Sequence, residues 1–304
     1  MAVITLKSPY LNEAATPVVW LKGNLHAHTT ISDGSRPPEQ VIAAYERLGY
    51  DFLALTDHDA LAPAREYQAD TRLVLIPGVE ITARGPHILQ LGLEAVQEPA
   101  VDRQRNLDFI VTQGGLAVLN HPNWQWHFNH FPQELMQSLN GAIGVEIYNA
   151  VIDRLEGAAL ATDRWDRLLS QDKWVWGFAN DDSHHPADDG RAWNMAQWDA
   201  SATPTAGDIL DALRKGRFFA STGVTIDAIQ IDGPTIHVTA ASAQCIRFIT
   251  RWGVVAHTVE ASRASWTVPN TPDVVESLKY VRVECFGVGS RMAWSQPIAI
   301  EYQP

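Results

Sequence analysis

The chain has 304 residues, 46% hydrophobic and 19% charged, with 20 Gly and 17 Pro, which excludes disorder and fibre and allows one large domain or two ordinary ones. Its 23 Lys and Arg against 35 Asp and Glu give a formal charge of -12, so the surface as a whole repels nucleic acid and anionic membrane. Nine of the eleven histidines lie between His26 and His185, and that clustering is the first functional clue.

Met1 to Asn12 has only a short apolar stretch and no signal-peptide core, and no segment reaches the roughly 18 apolar residues of a membrane span, so a cytoplasmic location is expected. Val18 to Leu25 reads as a strand. Ser35, Pro37, Pro38 and Glu39 then open a helix that carries Val41, Ile42, Tyr45 and Leu48 at helical spacing, and Gly49 ends it. Further strands are expected at Asp51–Thr56, Leu73–Ile76, His87–Leu93, Leu116–Asn120, Gly144–Tyr148 and Val175–Ala179. Helical patterns lie near Val101–Gln113, Pro132–Leu139 and Asp153–Ser170. About seven strands, most followed by helices, predict a parallel α/β barrel rather than an open sheet.

A last amphipathic helix, Thr205–Lys215, precedes a change to alternating patterns from Ile226 to Tyr302. Those short strands with Gly, Pro and Asn turns predict a smaller β-sandwich-like domain. The expected division is a hydrolase barrel over residues 1–222 and an accessory domain over 223–304, suited to packing or dimerisation. Cys245 and Cys285 lie in largely apolar runs and are expected to be buried, reduced thiols. His237 and His257 have no partner ligands nearby in sequence and are read as structural.

Polar residues gather where the predicted strands end. Asn24-Leu25-His26-Ala27-His28 closes the first strand, Thr56-Asp57-His58-Asp59 the second, Pro77-Gly78-Val79-Glu80 the third and Asn120-His121-Pro122 the fifth. Asp181-Asp182-Ser183-His184-His185 follows the last. In α/β barrels the C-terminal strand ends build one mouth, so these segments should converge. His26 and His28, two apart, point to one side of a strand and can hold a single ion; Asp182 and His184 repeat that spacing. Imidazoles with a few carboxylates suit Zn, Mn or Fe, and a carboxylate such as Glu80 can bridge two ions. A lone His at a strand end is commonly structural, but such segments at successive strand ends argue for a metal centre.

In these residues the chain resembles the PHP (polymerase and histidinol phosphatase) superfamily of metal-dependent phosphoesterases. The family's H-x-H and S-D-G motif stands as His26-Ala27-His28 and Ser32-Asp33-Gly34, with Thr56-Asp57-His58-Asp59, Gly78-Val79-Glu80, Asn120-His121-Pro122 and Asp182-Ser183-His184 following in family order. His87-Ile88-Leu89-Gln90-Leu91-Gly92-Leu93 is similar to the family's H-I-L-G-L-G strand. The resemblance implies a distorted (β/α)7 barrel of PHP type with two or three divalent transition-metal ions, Zn, Mn or Fe. It implies one ion on His26, His28, Glu80 and Asp182, a second on Glu80, His87 and His121, and a third on Asp33, His58 and His184. Asp33 stands where some members have His, which leaves the third ion's identity open. The activity implied is attack of a metal-bound hydroxide on a small phosphate ester.

The segments Gly144–Asn149 and Gly216–Gly223 look most like a carbaryl-hydrolase-like branch, so an esterase or amidase acting on a carbamate or carboxyl ester is the second reading. A third is a non-catalytic PHP scaffold, against which stands a ligand set with no gap. Serine catalysis fits poorly, because Ser183 has no G-x-S-x-G setting. Arg191 and Arg217 are the candidate phosphate clamps, His185 the candidate leaving-group acid, and Trp124 a candidate substrate wall. Trp126, His127 and His130 share the connection that carries Trp124. The expected partner is a small-molecule ester, with no nucleic-acid backbone and no membrane, and a homo-oligomer could form through the C-terminal domain.

Overall fold

A computed structural model of the chain describes residues 3–11, 18–270 and 277–303; of the Met1–Asn12 stretch, Met1, Ala2 and Asn12 lie outside the described residues. In chain order the elements are β1 (Val3–Lys7), β2 (Val18–Asn24), α1 (Pro38–Arg47), β3 (Phe52–Leu55), α2 (Ala64–Tyr67), β4 (Val74–Ile81) and β5 (Ile88–Leu91). There follow α3 (Arg103–Thr112), β6 (Leu116–Leu119), α4 (Gln133–Ser138), β7 (Gly144–Asn149), α5 (Thr162–Ser170) and β8 (Trp176–Asn180). Then come β9 (Trp193–Asp199), α6 (Ala206–Arg214), β10 (Phe218–Ser221), β11 (Ala228–Asp232), β12 (Thr235–Thr239), β13 (Cys245–Thr250) and β14 (Val254–Val259). The last are β15 (Arg263–Thr267), β16 (Tyr280–Phe286), β17 (Met292–Ser295) and β18 (Ile298–Gln303). Among the described residues no helix is long and apolar enough to cross a membrane.

The result is a mixed α/β fold built on one large sheet, which runs β1-β18-β16-β17-β10-β9-β2-β3-β4-β5-β6-β7-β8, with β13 joined to β16 and β14 to β13. β2, β3 and β4 are parallel, as are β6, β7 and β8. β5 departs from the expected parallel order, running antiparallel to both β4 and β6. Only a short connection separates β4 from β5, and a parallel pair would need a crossover of a dozen or more residues. Leu25, Phe52, Ala54, Ile76, Leu89 and Phe178, all buried, form a core cluster on the N-terminal side of the strand-end histidines.

Helix α1 forms as expected. Its Val41, Ile42 and Tyr45 are buried, Pro38 occupies the first turn, and Gly49 leaves it at φ 73°. The expected helix over Asp153–Ser170 is instead split. Ala150–Arg154 makes a short 3-10 turn, and α5 begins only at Thr162. Between them the backbone is claimed by the connection after β6: Gln125 N–H donates to the Glu156 carbonyl and Ala158 N–H to that of Asn123. Gly157, at φ 117°, permits the approach, since a Cβ there would lie 2.4 Å from the Asn123 oxygen.

In the C-terminal region β11, β12 and β15 form a separate three-stranded sheet. Its Ile236, Val238 and Ala264 pack in one cluster with Phe248, Val283 and Cys285 of the large sheet. Residues 3–7, which precede β2 in sequence, are a strand on this side of the molecule, antiparallel to β18. Cys245 and Cys285 are free and buried, as expected. Arg282 of β16, 2% exposed, is held by Asp166 of α5 through Nε–Oδ1 at 2.8 Å and Nη2–Oδ2 at 2.6 Å, and Tyr280 Oη donates to the same carboxylate. Truncating Asp166 would leave Nε and Nη2 of this buried guanidinium unpaired, with Glu284 on Nη1 at 2.7 Å as its remaining carboxylate. Asp166→Ala is therefore expected to lower unfolding free energy by about 3–5 kcal/mol in urea titrations, and Asp166→Leu with Arg282→Met by much less.

Candidate metal centre

The structure brings together all nine expected ligands. His26 and His28 follow β2, His58 follows β3, Glu80 lies on β4, His87 precedes β5, His121 follows β6, and Asp182 and His184 follow β8. Asp33 is carried in by the turn after His28. Gly34 lets that turn fold back, since a Cβ there would lie 2.5 Å from the His28 carbonyl. Asp57 holds the same turn through Thr29 N–H at 2.8 Å, Ser32 N–H at 3.0 Å and Ser32 Oγ at 2.7 Å.

Glu80, 1% exposed, is the hub. Its Oε1 lies 3.3 Å from His26 Nε2, 3.0 Å from His87 Nδ1 and 3.1 Å from His121 Nε2, and its Oε2 lies 2.9 Å from His58 Nδ1. Asp182 Oδ1 stands 3.2 Å from His26 Nε2 and 3.0 Å from His28 Nε2. Asp33 Oδ1 is 3.4 Å from both His58 Nε2 and His184 Nε2. His26 Nε2, both nitrogens of His28 and Asp182 Oδ1 are buried without a hydrogen-bond partner. Two ligands about 2.05 Å from one tetrahedral ion stand about 3.3 Å apart, so these spacings and these unpaired atoms fit a metal-binding donor set. The donors fall into four overlapping groups: His26, His28 and Asp182; His26, Glu80 and His121; His87, His121 and His130; and His28, Asp33, His58 and His184.

Residues that sequence reasoning passed over orient the donors. Glu146 of β7 is fully buried and accepts from His26 Nδ1 at 2.8 Å, His121 N–H at 2.9 Å and Asn180 Nδ2 at 2.8 Å. With Nδ1 donating to that carboxylate, His26 Nε2 keeps its lone pair for a metal. Asn120 Nδ2 donates to Glu80 at 2.7 Å, and the Asp182 carbonyl fixes His184 Nδ1 at 2.9 Å. Buried Arg103 donates to the carbonyls of Thr82, Ala83, Pro86 and Ala100, fastening the link between Glu80 and His87. A single carboxylate in the otherwise apolar β7 pattern was the available signal for Glu146. His130, on the connection that carries Trp124, has Nε2 accepting from His87 N–H at 3.1 Å, while His127 stacks on exposed Trp126.

Burial works against charge on Glu80, yet His87 and His26, with hydrogen bonds from His121 and His26, hold its carboxyl well below the ordinary range. Burial also opposes charge on Asp182, where His26 and His28 outweigh it. Burial lowers His28, and burial beside His121 and His87 pushes His130 down to about 2. His26, lowered by burial but raised more by Asp182, Glu146 and Glu80, ends well above its usual value and must release a proton on metal binding. Asp59, His121 and Asp182 sit at φ 51°, 24° and 53°, where the chain turns off the strands, and such strain clusters at functional sites.

The ligands open into a cavity of about 330 Å3. Trp124 and His185 line it as expected, and so do Val151, Ile152, Arg154 and Leu155. Neither proposed arginine clamp is there. Arg191 donates to Asp153 Oδ2 at 2.7 Å and to the Ala150 carbonyl at 3.0 Å, so it braces the 3-10 turn. Arg217 precedes β10, its carbonyl bonded to Gln197, which pairs with Trp20 near the start of β2. That is the opposite end of the strands from the site.

No family model matches the chain. A solved two-domain protein from Bacteroides vulgatus, containing a predicted PHP-like metal-dependent phosphoesterase, aligns over 98% of both chains with a TM-score of 0.56 and 18% identity. The chain is thus PHP-like in fold. Among curated proteins, the 5'-3' exoribonuclease Rnm of Escherichia coli is 47% identical over 64 residues, 19% of this chain and 22% of that protein. Phosphoribosyl 1,2-cyclic phosphate 1,2-diphosphodiesterase of Eggerthella lenta is 39% identical over 80 residues, 23% of this chain and 30% of that protein. The chain thus spans less than a third of these relatives' lengths.

Because Glu146 orients His26, Glu146→Gln is expected to weaken divalent-metal binding by about 10- to 100-fold in calorimetric titration. Unchanged affinity would remove Glu146 from the site's support.

Proposed function

We propose that the chain is a metal-dependent phosphoesterase that hydrolyses small phosphate esters, with two or three divalent ions on its strand-end ligands. The observation that carries this reading is the set of buried, unpaired atoms His26 Nε2, His28 Nε2 and Asp182 Oδ1, gathered beside Glu80. We assign His26, His28, Glu80 and Asp182 to one ion, Glu80, His87 and His121 to a second, and Asp33, His58 and His184 to a third. The mixture of imidazoles and carboxylates suits Zn, Mn or Fe. Such ions polarise phosphoryl oxygens and make hydroxide available near neutral pH. The chain's own residues set the geometry: Glu146 fixes the His26 ring, Asn120 orients Glu80, and Trp124 shapes the wall. To His185, exposed in the cavity lining, we assign the proton for the leaving oxygen.

In this reading β2 to β8 form a distorted barrel closed by the Ala27–Ser183 bridge, where His28 N–H donates to the Ser183 carbonyl at 2.8 Å. The two C-terminal sheets make a sandwich-like accessory domain over 223–304, to which β1 adds a strand. Two free thiols accord with a reducing, cytoplasmic compartment.

The apolar wall of Trp124, Val151, Ile152 and Leu155 favours a second reading, hydrolysis of a carbamate or carboxyl ester as in the carbaryl-hydrolase-like branch. The relatives' names widen the substrate range to phosphodiesters. The deciding assay loads the protein with Mn, Zn or Fe and offers phosphomonoesters, cyclic and linear phosphodiesters, a short RNA, and neutral esters. Phosphate-ester turnover is expected, lost with chelation and in His26→Ala and Asp182→Ala together with bound metal. Metal should also raise the melting temperature, as any ligand of the folded state does. Turnover surviving full demetallation, or confined to neutral esters, would overturn the proposal.

A further inference from the structure

Building on the phosphoesterase reading, we propose that Arg154 is the clamp for the substrate's phosphate and the residue that selects an anionic ester over a neutral one. Among the described residues lining the cavity it is the one Arg or Lys. Its side chain is 44% exposed, whereas that of its partner Asp188 is 2% exposed. Nε and Nη2 donate to Asp188 Oδ1 and Oδ2 at 2.9 and 3.0 Å. A guanidinium has five N–H donors in a planar fork. Pairing along the Nε–Nη2 edge leaves the Nη1–Nη2 edge with two parallel N–H groups, which match two oxygens of a phosphate.

The brace under Arg154 is shared with the ligands. Asp188 also accepts from the main-chain N–H of His184 at 3.1 Å and of His185 at 2.9 Å. One buried carboxylate therefore fixes the cation relative to the turn that carries His184. Arg154's wall neighbours Val151, Ile152 and Leu155 bring no charge, so a phosphate held between the histidine cluster and Arg154 would turn its organic group toward an apolar surface. Two other arginines of this region lie outside the cavity lining: Arg36, paired with both oxygens of Asp189 at 2.7 and 2.8 Å, and Arg191, paired with Asp153.

The test uses the metal-loaded full chain as wild type, Arg154→Ala and Arg154→Lys. The lysine variant keeps a cation over Asp188 and guards against misfolding, but it has no fork. Binding of inorganic phosphate is measured by calorimetry, turnover with p-nitrophenyl phosphate and p-nitrophenyl acetate, and metal content by elemental analysis. Both variants should keep full metal and weaken phosphate binding at least about tenfold. KM for the phosphate ester should rise to match, with acetate turnover unchanged. Phosphate binding within about twofold of wild type in both variants would overturn the proposal. So would a loss of phosphate binding that follows loss of metal, or a wild type that binds no phosphate. If wild type binds phosphate but hydrolyses no phosphate ester, the functional reading fails while the titrations still decide the clamp.

Discussion

Everything at the mouth depends on keeping two carboxylates, Glu80 and Asp182, ionised while almost wholly removed from water. Left alone, burial would neutralise them. The imidazoles around them reverse that outcome, and the two acids in turn raise His26. Neither charge type would be tolerable there without the other. This mutual requirement explains why the donors arrive from so many strand ends: each strand can deliver only one or two side chains to a common point.

Polar side chains packed behind the donors convert that cluster into a defined geometry. Asn120, Glu146 and Asn180 are fully buried: Asn120 donates to Glu80 and accepts from Leu89 N–H, and Asn180 donates to Glu146 and accepts from Leu25 N–H, so they tie the donors to the strands. Buried charge also fastens loops: Arg103 gathers four carbonyls, and Asp188 gathers two amides and a guanidinium. Groups so completely engaged are costly to remove, which gives the mouth a rigid frame.

The strands and the residues at their ends were legible because both signals are local. Short apolar runs define the strands, and polar residues where a run stops stand out at once. What stayed hidden depends on contacts distant in sequence. β9 was missed because Asn194 and Gln197 break its apolar pattern, and both are buried on partners in other elements, Asn194 on Ala179 of β8 and Gln197 on Leu11 near the start of the chain. The helix pattern of 155–161 lost to hydrogen bonds from residues 123–125. Arg191 and Arg154 look alike in sequence, and only the carboxylates each one meets separate a brace from a cavity-facing cation. Arg217 was misjudged for a related reason, since its proximity to a motif along the chain says nothing of which end of a strand it occupies.

The reversed strand β5 carries a further consequence. Glu80 pairs with Leu89 across the β4–β5 hairpin, and the Arg103 bonds hold the link to His87. Because side chains alternate by two along a strand, a slip of one residue would turn Glu80 out of the cavity and Val79 or Ile81 into it. The hairpin's hub charge therefore acts as a gauge of correct pairing. A misregistered chain would bury an unpartnered carboxylate, so the site's chemistry and the proofreading of its strand alignment rest on the same side chain.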